Sequence, residues 1–233
     1  MASQLKKLTS VILPARSKHT ASVIFMHGLG DQGTGWAPVG EELQRSLPHV
    51  KFIFPNAPNQ PVTLNYGMLM PSWYDIKSLN DLEQESDEAG LVKSRQSVME
   101  LVREEIDNHG IPANRIVVGG FSQGCVLGLM IGLTTEFKYA GLLSLSGYLP
   151  LHKKIMSMTS EANQKTPIFW GHGSADPVVR YEFGKHSAEL LKKHKYNVNF
   201  NTYEMGHSAC PEEIRDILAF LRTTIPELPT PKA

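Results

Sequence analysis

The chain has 233 residues, of which 41% are hydrophobic and 19 are glycine; this composition belongs to a folded globular protein and excludes disordered and collagen-like chains. A chain of this length buries roughly 70–75% of the surface exposed when unfolded and needs no disulfide staples, and its two cysteines, Cys125 and Cys210, sit in no metal-binding spacing. The 23 basic residues balance the 23 acidic ones, which removes the basic footprint of a nucleic-acid binder and any strong attraction to an anionic membrane surface.

No stretch approaches the ~18 apolar residues of a membrane span. The N-terminus lacks the continuous apolar run of a secretory signal. The expectation is a reduced, intracellular protein without membrane insertion.

In chain order, residues 11–13 and 22–26 are short β-branched runs. A glycine-rich turn follows the second, and Pro38 delays the helix expected after it. Residues 50–54 form the next strand. Residues 55–73 then make a long loop that carries Leu64, Met68, Leu69, Met70 and Trp73, with Tyr74 just after. A long loop this rich in apolar side chains is read as functional. Residues 86–109 place Leu91, Val98, Leu101, Val102 and Ile106 on one helical face, with Gly110 as the stop. Residues 115–121 are a strand, and 123–133 are almost wholly apolar, as a buried helix is. Strands at 139–145, 167–170 and 197–203 alternate with helices at 180–194 and 211–224, and 226–233 read as an extended tail. Several strands are continuously apolar, the mark of strands covered on both faces. The alternation predicts one α/β domain over residues 1–233, with a mostly parallel sheet flanked by helices.

Residues Gly28-Leu29-Gly30-Asp31-Gln32-Gly33 fit the G-x-G-x-x-G dinucleotide pattern. That fold also wants an acid at the end of the following strand for the ribose. Here that strand ends Ile53-Phe54-Pro55-Asn56. The run is therefore better read as a tight turn that exposes backbone N–H groups.

Residues Gly120-Phe121-Ser122-Gln123-Gly124 read G-x-S-x-G, directly between a strand and an apolar helix. In that context the motif makes a sharp turn that pushes the serine out at the carboxyl edge of the sheet. A serine hydroxyl needs a base to take its proton, and on this kind of sheet the chain order is serine, acid, histidine. Asp176, in the loop after the 167–170 strand, and His207, in the loop after the last strand, satisfy that order. His172 precedes the acid and is read as structural; His186 and His194 sit on a charged helix face. The oxyanion donors expected are the N–H groups of Gln123 and Leu29. No metal and no cofactor is implied.

With those residues placed, the sequence resembles the acyl-protein thioesterases, lysophospholipase-like carboxylesterases of the α/β-hydrolase fold. The likeness lies in Val23-Ile-Phe-Met-His-Gly-Leu-Gly-Asp31, Pro61-Val-Thr-Leu-Asn65, Met70-Pro-Ser-Trp-Tyr-Asp75, Gly110-Ile-Pro-Ala-Asn-Arg-Ile116, Gly119-Gly-Phe-Ser-Gln-Gly124 and Leu149-Pro-Leu151. It runs from about residue 14 to 225. The resemblance implies hydrolysis of long-chain acyl thioesters on S-acylated proteins such as Gα and Ras-type GTPases, some lysophospholipase or esterase activity, and a location in the cytoplasm that extends to the nucleus. It maps the triad onto Ser122, Asp176 and His207 and the oxyanion donors onto Leu29 and Gln123. Two departures stand out: Ala2 where animal members carry an acylatable cysteine, and Tyr148 where they often have tryptophan. Residues 147–166 leave room for a small flap but no large cap domain. The fatty acyl wall is assigned to Leu64, Leu69, Met70 and Trp73 of the long loop, with Tyr148 facing it. Two rivals are a small-molecule carboxylesterase of the same fold and a catalytically silent lipid-binding module.

Overall fold

The computed structural model describes residues 7–79 and 87–229; residue 86, where the sequence predicts the long helix to begin, and the end of the predicted tail lie outside the described residues. Seven strands form one sheet in the order β1-β3-β2-β6-β7-β8-β9. They are β1 (Ser10–Leu13), β2 (Ala21–Met26), β3 (Val50–Pro55), β6 (Ile116–Phe121), β7 (Gly141–Leu145), β8 (Pro167–Gly173) and β9 (Asn197–Tyr203). Among the described residues of this sheet only β1 runs antiparallel to its neighbour, pairing Ser10 with Pro55; the other pairs in it are parallel.

Successive strand residues point to opposite faces. Val23, Phe25, Val117, Leu143 and Phe169 enter one apolar cluster. Ile24, Met26, Val118, Leu142, Ile168 and Trp170 enter another. Helices α1 (Gly33–Gln44) and α6 (Pro211–Thr224) cover the first face through Leu43, Ile214, Ile217 and Leu221. Helices α2 (Glu88–Asp107), α3 (Gln123–Thr134) and α5 (Tyr181–Lys193) cover the second through Leu91, Val98, Leu127, Ala188 and Leu191. Helix α3 is buried almost all round, which explains why its sequence shows no polar face. This is the α/β-hydrolase arrangement. Between β7 and β8 lie the short helix α4 (His152–Ser157) and a 3-10 turn at Glu161–Asn163, so among the described residues there is no large cap.

Two sequence expectations need correction. Helix α1 starts at Gly33, before Pro38, and carries that proline inside it. Asn56, at the end of β3, accepts the Gly33 N–H at 2.8 Å and anchors the first turn. Pro38 removes one helical hydrogen bond, and the helix stays seated through its own buried residues Gly40, Leu43 and Gln44. The 55–73 segment is also more than a loop. It contains a hairpin, β4 (Asn59–Val62) with β5 (Met68–Pro71). Tyr66 and Gly67 turn it with φ of 56° and 75°. Its strands pair with each other and leave most side chains outside the core, so no apolar alternation marks them in the sequence.

Candidate active site

Ser122 stands between β6 and α3 with φ 53° and ψ −115°, a conformation that costs a non-glycine residue of order 1–3 kcal/mol and recurs at functional sites. The Ser122 N–H donates to the Leu145 carbonyl at 2.8 Å and ties the turn to β7. The flanking glycines are steric necessities. A Cβ on Gly120 would lie 2.4 Å from the Gly124 carbonyl carbon, and one on Gly124 would lie 2.1 Å from the Met26 carbonyl oxygen. The elbow thus presses directly against the end of β2.

Asp176, in the loop after β8, is buried. Its Oδ1 accepts the N–H groups of Val178 and Val179 at 2.8 and 2.9 Å. Its Oδ2 accepts Nδ1–H of His207 at 2.7 Å. Burial by itself would raise the Asp176 carboxyl; the His172 ring beside it and the hydrogen bond from His207 outweigh that and hold the group well below the usual carboxylate range. The carboxylate therefore stays ionised and fixes the His207 tautomer, leaving Nε2 as the proton acceptor. His207 packs on the Phe121 ring, 4.7 Å between centroids. Ser122 and His207 open onto the same cavity.

The two expected oxyanion donors come from different elements. Gln123 is the first residue of α3, where the N–H has no acceptor inside the helix. Leu29 lies in the turn after β2, and the next two N–H groups are already held: Gly30 by the Pro71 carbonyl at 2.9 Å and Asp31 by the Gly28 carbonyl at 3.3 Å. Leu29 and Gln123 both line the cavity beside Ser122.

Sequence reasoning missed what holds this turn. His27 is buried and its Nε2 accepts the Ala57 N–H at 3.0 Å. The ring hydrogen is therefore on Nδ1, which donates to the Gly28 carbonyl at 2.7 Å. Burial lowers the His27 pKa, so the ring stays neutral in this role. A histidine at the carboxyl end of a strand, directly before a glycine turn, was the available signal.

The Gln123 side chain does further work. Its Oε1 accepts the Trp73 N–H at 2.8 Å, and its Nε2 donates to Ser72 Oγ at 2.9 Å and the Tyr74 carbonyl at 2.6 Å. The segment after the hairpin is thereby locked to the elbow.

The cavity at the triad is about 230 Å³. Leu64, Tyr74, Ile76, Leu79, Tyr148 and Val179 give it apolar walls. The Tyr74 and Tyr148 hydroxyls face each other at 3.4 Å. Burial pushes both phenols up, so that wall carries no charge. Of the predicted acyl-wall residues, the structure brings Leu64 and Tyr148 to the cavity and leaves out three. Leu69 is 71% exposed on the hairpin. Met70 is half-buried and its Sδ accepts from Asn65. Trp73 is 1% exposed, and its Nε1–H donates to the His27 carbonyl at 2.9 Å. The hairpin turns Leu69 outward, while Trp73 sits beneath the oxyanion turn as a support. The apolar walls come instead from residues 74–79 and 178–179, which periodicity did not single out. Among the described residues, no group of three or more His, Cys, Asp or Glu side chains could hold a metal ion.

The chain is similar to known proteins along nearly its whole length. The phospholipase/carboxylesterase family matches residues 8–225. The chain is 48% identical to acyl-protein thioesterase 1 of Yarrowia lipolytica over 223 residues, covering 94% of this chain and 98% of that protein. It is likewise 48% identical to acyl-protein thioesterase 1 of Neurospora crassa over 237 residues, 98% of this chain and 96% of that one. Among solved structures, Zea mays acyl-protein thioesterase 2 superposes with a TM-score of 0.82 at 30% identity, covering 93% of this chain and 99% of that one.

Proposed function

The chain belongs to the phospholipase/carboxylesterase family, and from that membership we propose that it is a serine hydrolase that cleaves the thioester between a long fatty acyl chain and a protein cysteine, with lysophospholipids and simple esters as further substrates. The observation that carries this reading is the Asp176–His207 pair beside a strained Ser122 at an apolar cavity. Acyl-protein thioesterase relatives nearly equal to it in length support a protein-bound acyl group as substrate. Gα and Ras-type GTPases as the acylated partners, and a cytoplasmic location extending to the nucleus, are proposed on the sequence resemblance alone.

The residues assign the steps. Ser122 Oγ attacks the acyl carbonyl carbon while His207 Nε2 takes its proton, and Asp176 stabilises the imidazolium that forms. The carbonyl oxygen becomes an oxyanion held by the Leu29 and Gln123 N–H groups, each worth roughly 10²–10³ in turnover. Collapse breaks the C–S bond, and the imidazolium returns its proton to the departing cysteine sulfur. A water then attacks the Ser122 ester, giving its proton to His207. The fatty acid leaves as the proton passes back to Ser122 Oγ. Each methylene of the chain buried against the Leu64–Ile76 side of the cavity contributes roughly 0.8 kcal/mol.

One preparation assayed on an S-palmitoyl peptide, a lysophospholipid and a short-chain ester tests the reading, with fluorophosphonate labelling of Ser122 alongside. The palmitoyl thioester should give the highest kcat/KM. A preference for the short ester would identify a small-molecule carboxylesterase instead, and an enzyme that does not label would be a silent lipid binder.

A further inference from the structure

The catalytic acid has a second imidazole beside it. His172, near the end of β8, is completely buried. Its Nε2 lies 2.8 Å from the Val179 carbonyl oxygen and 3.5 Å from Asp176 Oδ2. Both neighbours are acceptors, so Nε2 carries the ring hydrogen; it donates to Val179 and leans electrostatically on the carboxylate. Nδ1 is then a bare lone pair, and it finds no hydrogen-bond partner among the described residues. It points at α5, where a Cβ on Gly184 would come within 2.3 Å of it. The ring is further confined by Tyr181, edge-on at 6.0 Å and 86°, and by Phe200, stacked at 6.5 Å and 25°. A buried ring with one unsatisfied nitrogen is costly, and the ring's other contacts must offset that cost.

What the ring does is visible in the turn it holds. Val179 donates its N–H to Asp176 Oδ1 and offers its carbonyl to His172. His172 therefore clamps the far side of the turn that orients the carboxylate, while its N–H dipole faces the oxygen that binds His207. We propose that His172 is a positioning residue of the triad. It acts through Asp176, keeping the carboxylate aimed and ionised, and touches neither Ser122 nor the acyl group. The assignment rests on the serine-hydrolase reading above and is independent of the acyl substrate preferred.

The test is the labelling rate of Ser122 by a fluorophosphonate in the full-length protein, resolved into the maximal rate and the half-saturating probe concentration. A glutamine at 172 carries its amide nitrogen where Nε2 stands; an asparagine carries its own where Nδ1 stands. His172→Asn should slow the maximal rate about 10- to 100-fold at unchanged half-saturation, short of the ~10⁴ expected when the acid itself is replaced by its amide. His172→Gln should stay close to wild type. In an Asp176→Asn background the His172→Asn change should add little, because residues acting as one unit are not additive. Gly184→Ala perturbs the ring without removing it and favours the helix; it should slow labelling as well, which keeps the test alive if His172→Asn fails to fold. Equal rates in the Asn and Gln variants, multiplying losses in the double variant, or wild-type labelling of Gly184→Ala would each overturn the assignment. Failure of the thioesterase reading looks different: a wild-type enzyme that labels at Ser122 and leaves the palmitoyl peptide intact.

Discussion

Glu213 lies in the first turn of α6 with its side chain fully buried, and neither carboxyl oxygen has a hydrogen-bond partner among the described residues. It is pressed against the backbone of Gly171, where a Cβ would meet Oε1 at 2.0 Å, and Asp216 lies on the same helix. Burial first, and the Asp216 charge second, push its carboxyl from the ordinary 4.5 up to about 8. The helix N-terminus favours the anion by at most ~2 kcal/mol, so desolvation wins. Between pH 4.5 and 8 the native protein holds a proton that the unfolded chain has released. Stability must then fall as pH rises through this window, with the whole contribution present below 4.5 and lost above 8. At ~1.4 kcal/mol per pH unit, the penalty reaches roughly 3 kcal/mol at pH 7 and about 5 at pH 8. Glu213→Gln keeps the shape of the protonated acid and cannot ionise. It should match wild type near pH 4.5 and exceed it increasingly toward pH 8. At about 2–4 °C per kcal/mol for a domain of this size, the gain at pH 7 is roughly 6–12 °C in Tm. Urea unfolding of both proteins from pH 4.5 to 8.5, with the slope m held as a check on the denatured state, measures it directly. A stability difference that stays constant across the window would show that Glu213 is ionised in the native protein and would refute the reasoning.

Four further outcomes follow from the site and its supports. Ser122→Ala and His207→Ala should each lower turnover by several orders of magnitude and the double variant little more, measured as kcat on a short ester. Leu64→Ala should reduce kcat/KM for a palmitoyl thioester more than for an acetyl ester, whereas Leu69→Ala, exposed on the hairpin, should leave that ratio unchanged; a chain-length series decides. Trp73→Phe removes the N–H held by the His27 carbonyl and should lower kcat equally at every chain length, with KM little changed; a loss confined to long chains would return Trp73 to the acyl wall. Lys51→Met removes the ammonium that the buried Glu105 meets at 2.6 Å and leaves that carboxylate the Ser22 hydroxyl at 2.5 Å; it should cost about 1.5–3 kcal/mol by denaturant titration, with the labelling of Ser122 intact below the transition.

The alternation of apolar runs and amphipathic stretches determined the parallel sheet and its covering helices, because side-chain direction has period two in a strand and 3.6 in a helix. The candidate triad was legible for a related reason. The elbow needs Gly120 and Gly124 around Ser122, and the acid and base must stand at later strand ends, so chain order nearly selects Asp176 and His207. Local pattern says nothing of how far a side chain travels from core to surface. Leu69 and Trp73 are four residues apart and equally apolar in sequence, yet hairpin pairing turns one into solvent while the oxyanion turn draws the other beneath it. Pro-Glu-Glu makes a favourable first turn for α6 whatever surrounds it, but α6 lies on β8 and seals Glu213 against Gly171. His172 and His27 likewise look like any loop-edge histidine until the fold sets the Val179 and Ala57 backbones against them. These are contacts between segments distant in sequence or turned back on themselves, and their energies depend on desolvation and distance, which only the packed tertiary structure decides.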